Sequence, residues 1–175
     1  TLASRYLTVV TRDARILAIL FSQAPVIGLI VGAVMGPPGA SAGPAFAVAH
    51  HAKVGFFLVL AAAWFGCINA AREIVKETDI FRRERAVCLS VIAYVLSKLL
   101  PLLALCAAQC AVLLAVVRPM TGLPGNAALQ LTALFATAGA SALLGLLLSA
   151  FASTEDRAIR MVPLVLIPQV VLSDA

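Results

Sequence analysis

Basic residues gather in three groups along this chain, and long apolar stretches almost free of charge separate them. The groups are Arg5, Arg12 and Arg15; then Arg72, Lys76, Arg82, Arg83, Arg85 and Lys98; then Arg157 and Arg160. Of the 13 Lys and Arg residues, only Lys53 and Arg118 fall in the alternate gaps. Such alternation is the positive-inside pattern of a chain that crosses a bilayer repeatedly. It predicts both the spans and their orientation, with the N-terminus in the cytoplasm.

Composition closes the alternatives. Hydrophobic residues make up 62% of the chain and charged ones 12%, about half the charge of a typical soluble domain. The mean hydropathy is +1.05. The net charge of +5 does not signal nucleic acid, because the basic residues sit at span ends where headgroups and topology account for them. The apolar runs are continuous, whereas membrane β-strands alternate apolar and polar residues over about ten positions. The expected fold is therefore an all-α polytopic transmembrane helix bundle. No signal-peptide pattern opens the chain, which starts at Thr1 and stops soon after an apolar run, so it reads as a piece of a longer polypeptide. Cys67, Cys106 and Cys110 lie inside apolar runs and Cys88 in a polar segment. They form no metal or redox motif and read as small buried hydrophobes.

Along the chain, residues 1–15 carry Leu2, Tyr6, Val9 and Val10 at helical spacing, with Arg5, Arg12, Asp13 and Arg15 on other faces. That pattern suits an amphipathic helix in the interface. The remainder, 16–175, reads as one membrane domain of five spans, each near the roughly 20 residues that cross the hydrocarbon. The first runs over 16–35 and is broken by Gly36-Pro37-Pro38-Gly39, with a short external loop to Lys53. The second covers 54–71, and a charged cytoplasmic segment at 72–90 follows. The third, 91–117, is long enough to tilt or kink at Pro101. An external turn over 118–126 leads to the fourth, 127–152. Ser153 or Thr154 caps a fifth, which starts near Ala158 and runs through Pro163 and Pro168 to Ser173.

Small residues recur every four positions at Ala62, Gly66 and Ala70, and again at Ser141, Gly145 and Ser149. Such stripes let helix backbones approach closely, within one bundle or between two copies; packing within the bundle is the simpler reading. No Asp or Glu lies deep in a span, which argues against proton coupling and against an intramembrane hydrolase. Lys98, one turn inside the third span, can snorkel to the interface. Phe65 and Asn69 share a helical face, and Val162, Val165 and Gln169 share another. An aromatic and amide lining suits a pathway for amphipathic compounds, although Asn69 could equally bond a neighbouring helix. His50 and His51 are adjacent, point apart on a helix and lack a third ligand, so no metal is expected. No GxxxxGK[ST] phosphate loop occurs, so ATP binding through a P-loop is not expected of this chain, and because its spans lack a catalytic constellation no catalytic site is expected in it.

The most distinctive stretch is Arg72–Arg85, where charges of both signs surround Ile74, Ile80 and Phe81. It can be a solvated loop laced by helical ion pairs, yet it is longer than a turn requires and suits docking on a cytoplasmic partner. Its residues resemble a known family. Glu77, Phe81, Arg83-Glu84, Tyr94 and Ser97-Lys98-Leu99 are similar to the motif around the second and third spans of type-2 ABC transporter membrane domains, in particular G-subfamily (White-type) half-transporters. The opening amphipathic helix looks like that family's connecting helix, and Pro168–Ser173 is similar to the end of its fifth span.

The resemblance implies a permease domain, five of six spans being present, that pairs with a second permease domain as a homo- or heterodimer around a central cavity. It also implies an ABC nucleotide-binding domain, fused or separate, which holds ATP and Mg and hydrolyses the nucleotide. Glu73, Glu77, Phe81, Arg83, Glu84 and Arg85 would then receive the ATPase stroke, and Phe65, Asn69 and Gln169 would line the substrate pathway. The expected function is ATP-driven efflux of a hydrophobic or lipid-like substrate across a plasma membrane, a bacterial inner membrane by the Ala- and Gly-rich composition. A non-transporting membrane scaffold that recruits a cytoplasmic partner through Arg72–Arg85 is the alternative.

Overall fold

A computed structural model of the chain describes residues 14–39, 43–77 and 91–172. Within its helices, the side chains of residues 14–20 and 91–93, and those of Glu77, Gln169 and Leu172, lie outside the described set. The described residues form five α-helices and a short 3-10 turn, with no strand among them. They are α1 (Ala14–Met35), α2 (Pro44–Ala70), the 3-10 turn Val75–Glu77, α3 (Val91–Thr121), α4 (Ala127–Phe151) and α5 (Glu155–Leu172). The all-α membrane bundle expected from the sequence is the fold found. The amphipathic helix expected over 1–15 lies outside the described residues, except that Ala14 and Arg15 already belong to α1.

Three helices, α2, α3 and α4, are long and apolar enough to cross a membrane. In α1 the described apolar part is Phe21–Met35, shorter than a full crossing. The 18 residues of α5 open on Glu155, Asp156, Arg157 and Arg160, which shortens its apolar part. The outside of the bundle is apolar: Leu100, Leu129, Leu147, Leu164 and Val171 are all exposed. Water would penalise such a surface, whereas lipid tails do not.

Two boundaries differ from the sequence reading. The loop expected to reach Lys53 is mostly helix, since α2 begins at Pro44. Proline suits the first helical turn because its fixed φ is already helical and its missing N–H would be unpaired there. At the same end, Gly36 (φ 57°) closes α1, donating its N–H to the Gly32 carbonyl at 2.9 Å. The Nε2 of His50 lies 3.0 Å from the Gly36 carbonyl oxygen, which makes that ring nitrogen the donor and ties α2 to the end of α1. Likewise α3 passes through Pro101 and Pro119 and stops only at Gly122 (φ 64°). The reversal that follows is built by side chains: Asn126 Oδ1 accepts from the Ala128 N–H at 2.9 Å, and Gln130 Nε2 donates to the Pro124 carbonyl at 2.7 Å.

The most extensive packing is α2 on α4, followed by α1 on α3. In both pairs small residues set the spacing. A methyl added at Gly66 would run into the Ala138 carbonyl oxygen and lie 3.0 Å from the Ala142 nitrogen. One added at Gly145 would lie 2.5 Å from the Cys67 carbonyl oxygen and 2.9 Å from the Ala70 Cβ. The two stripes read from the sequence therefore meet each other inside one bundle. A third stripe, Ala24, Gly28 and Gly32, seats α1 against Leu113, Val116 and Met120 of α3. Around these contacts, Phe65, Leu58, Cys106, Cys110 and Leu113 form the main core. Ala63, Cys67, Ala71, Val162 and Leu166 bind α5 to α2.

Close packing of this kind predicts an asymmetric response to substitution. Gly66→Val and Gly145→Val press on backbone that cannot yield, so each is expected to cost at least the roughly 1–3 kcal/mol of an overpacked core. Gly32→Ala displaces the flexible Met120 thioether and should sit at the low end of that range. Thermal unfolding in detergent measures the difference, and an unchanged midpoint for Gly66→Val would contradict the close approach.

Candidate translocation and coupling site

The segment that the sequence singles out leaves the bundle where α2 ends. Ala71 continues the helical bonding, its N–H reaching the Cys67 carbonyl at 2.9 Å, and Lys76 N–H reaches the Arg72 carbonyl at 3.1 Å. Between those turns, Ser149 of α4 holds the chain. Its Oγ accepts from the N–H groups of Ile74 at 3.0 Å and Val75 at 2.9 Å. Ser149 itself is buried, so one hydroxyl at the last turn of α4 fixes the first residues of the charged segment after α2. The 3-10 turn also touches α5.

Opposite that turn, α5 starts with a side-chain cap: the Thr154 Oγ1 accepts from the Arg157 N–H at 3.3 Å, and Arg157 Nη1 donates to Ser153 Oγ at 2.8 Å. Of the two capping candidates, Thr154 is the one that caps. Arg72, Lys76, Arg157 and Arg160 are all exposed at this end of the bundle. Among the described residues, members of the second and third charge groups, far apart in sequence, thus share one end of the bundle.

Of the expected coupling residues, Glu73 is half-buried beside the Ser149 contact. Glu77 closes the 3-10 turn. Phe81, Arg83, Glu84 and Arg85 lie outside the described residues. Of the expected pathway residues, Phe65 is fully buried in the main core and Asn69 is 8% exposed. The Asn69 Nδ2 donates to Gln109 Oε1 of α3 at 2.7 Å and lies 3.9 Å from the Cys106 sulfur. Within this chain both residues are therefore spent on packing α2 against α3, and neither lines an open surface. The Asn69 Oδ1 is buried without a hydrogen-bond partner. Gln169 belongs to α5, and its side chain lies outside the described residues.

Lys98, expected to snorkel, is 4% exposed, and its surroundings are protein. Among the described residues no three His, Cys, Asp or Glu side chains gather as a metal site would require. Sequence reasoning treated Ser149 as a packing residue and gave Gln109 no role beyond being polar. A serine at the end of one small-residue stripe, and two amides in spans that must pair or go unsatisfied, were the available signals.

Long apolar helices, a lipid-compatible exterior and polar groups paired inside the bundle define a polytopic membrane protein. More narrowly, the chain belongs to the ABC-2 type transporter family, whose model matches residues 1–174. It is thus a membrane-embedded component of a transporter. It is 33% identical over 124 residues to the ABC transporter ATP-binding/permease protein Rv1747 of Mycobacterium tuberculosis. That alignment takes in 66% of this chain and 14% of the relative's length. No solved structure gives a significant match.

Two measurements test the geometry. Ser149→Ala removes the acceptor shared by two amides and should speed hydrogen exchange at Ile74 and Val75 about fivefold, the effect of losing one ordinary hydrogen bond of about 1 kcal/mol. Unaltered exchange would mean that Ser149 does not hold the segment. A double-mutant cycle of Asn69→Ala with Gln109→Ala should give a coupling of about 0.6–1.7 kcal/mol, the range for hydrogen bonds between membrane helices. Strict additivity would show that the amides do not bond.

Proposed function

We propose that this chain is the permease domain of an ATP-driven exporter that moves a hydrophobic or lipid-like compound out of the cytoplasm. The observation that carries the reading is the family match over residues 1–174. A relative whose name joins ATP-binding to permease supports an ABC nucleotide-binding domain, fused or separate, as the partner that holds ATP and Mg. A second permease domain, identical or different, completes the pathway, and lipids surround it. The basic residues exposed at one end of the bundle support a cytoplasmic position for that end, in a plasma membrane.

In this reading Glu73, Glu77, Phe81, Arg83, Glu84 and Arg85 receive the ATPase stroke. Ser149 passes it to α4, since its hydroxyl is bonded to the amides beside Glu73. Phe65 and Asn69 contribute to the pathway by holding α2 in register with α3, and Gln169 lies on α5, the helix that flanks α2. The aromatic and aliphatic composition of the spans favours an apolar substrate over an ion, because no acidic side chain sits deep in a described span.

Inside-out vesicles carrying the full-length polypeptide should take up a fluorescent lipid analogue when ATP is supplied. Glu84→Gln should leave expression and ATP hydrolysis intact while uptake falls to background. Unchanged uptake in that variant would remove Glu84 from coupling. Normal partner recruitment with no ATP-dependent movement in the unmodified protein would favour a scaffold instead.

A further inference from the structure

At the end of the bundle opposite Ser149, α3 and α4 leave a cavity of about 310 Å³ between them. Ala111, Leu114 and Ala115 line it from α3, Ala128 and Leu131 from α4, and Arg118 stands at its rim. The alanines are exposed, so their small side chains make a trough on the lipid-facing side, away from the α2–α4 contact. Arg118 is held in place over the trough: its Nη2 donates to the Gly125 carbonyl at 2.6 Å. That bond uses one of the five N–H donors of a guanidinium.

Within the α3–α4 hairpin the charge around Arg118 is one-sided. The sequence has no Asp or Glu between Glu84 and Glu155, so the hairpin α3–α4 contains no carboxylate. Every acidic residue among the described ones, Glu73, Glu77, Glu155 and Asp156, belongs to the opposite end. Of the other ionisable residues outside the groups at the opposite end, Lys53 and the histidines beside it are not acidic, and Asp174, which follows α5, lies outside the described residues. A guanidinium fixed at a span end, with spare donors, calls for an anion, and a phosphate oxygen pair matches its fork. Beneath it the trough offers only apolar surface.

We infer that this trough is a phospholipid site, in which one acyl chain lies along Ala111, Ala115 and Ala128 and a negatively charged headgroup pairs with Arg118. The occupant is a lipid and not a second copy of the chain, because the trough ends at the reversal after Gly122 under a single cation. That shape suits one chain and one headgroup, whereas a helix would need a stripe continuing past the turn. The inference rests on the membrane-embedded reading and is independent of ATP-driven transport.

Native mass spectrometry of the full-length polypeptide, purified from vesicles of mixed phosphatidylglycerol and phosphatidylcholine, tests it. The unmodified protein should retain phosphatidylglycerol preferentially. Arg118→Gln, which keeps a donor for the Gly125 carbonyl, should lower that retention about fivefold, the factor that one basic residue contributes near a charged membrane surface, and leave phosphatidylcholine retention unchanged. Ala115→Leu with Ala128→Leu fills the trough and should lower retention of both lipids. If the filled variant does not fold, Arg118→Gln alone decides. Undiminished phosphatidylglycerol retention in Arg118→Gln would overturn the site. So would a disulfide formed between two copies through cysteine substituted at Ala128, since that would put protein where the lipid should be.

Discussion

The contact on which the bundle depends is the approach of two backbones, α2 and α4, at Gly66 and Gly145. Lipid tails solvate leucine as well as another helix does, so burial of apolar side chains gives membrane helices little reason to associate. What remains is dispersion between atoms that fit closely, and the fit here extends to main-chain carbonyls. Once α2 and α4 are locked, their shared flanks present the surfaces on which the rest assembles. Phe65 and Leu58 meet Cys106 and Leu113 of α3, and Cys67 and Ala71 meet Val162 and Leu166 of α5. Helix α1 then repeats the device on α3 with its own row of Ala24, Gly28 and Gly32.

Polar groups serve the same bundle in a second way. With no water in the hydrocarbon, each buried donor or acceptor must find a protein partner. Thr121 and Thr137 return their hydroxyls to carbonyls one turn back, at Val117 and Ala133. Asn69 Nδ2 and Gln109 Oε1 pair between helices, while the Asn69 Oδ1 keeps no partner. These bonds add little stability each, but a wrong rotation of α2 or α3 would leave two amides facing apolar neighbours. They therefore specify register more than they add strength.

Much of this was legible in the sequence, and the reasons differ by feature. The ends of α1 and α4 could be read closely because Gly36 and the Ser153-Thr154 pair punctuate continuous apolar runs. The start of α2 could not, because Pro44 follows a Pro- and Gly-rich stretch and looks like more loop, although it is a good first residue for a helix. The stripes containing Gly66 and Gly145 were visible as spacing, but spacing alone does not say which stripe meets which. Phe65 and Asn69 were placed on one face, and a bond from Asn69 to a neighbouring helix was one of two readings, but Gln109 could not be named as its partner, since an isolated helix does not reveal which side its partner occupies. Ser149 was the hardest to see: its partners, Ile74 and Val75, are far away in sequence and offer only backbone.

That hydroxyl has a mechanical consequence. A force applied to the residues after α2 meets no slack, because the strap at Ile74 and Val75 is fastened to the last turn of a different helix. Pulling there moves α4 with α2 as one plate, already welded at Gly66 and Gly145. Any bending in this half of the molecule has to fall at the seam with looser contact, where α5 leans on α2 and α4.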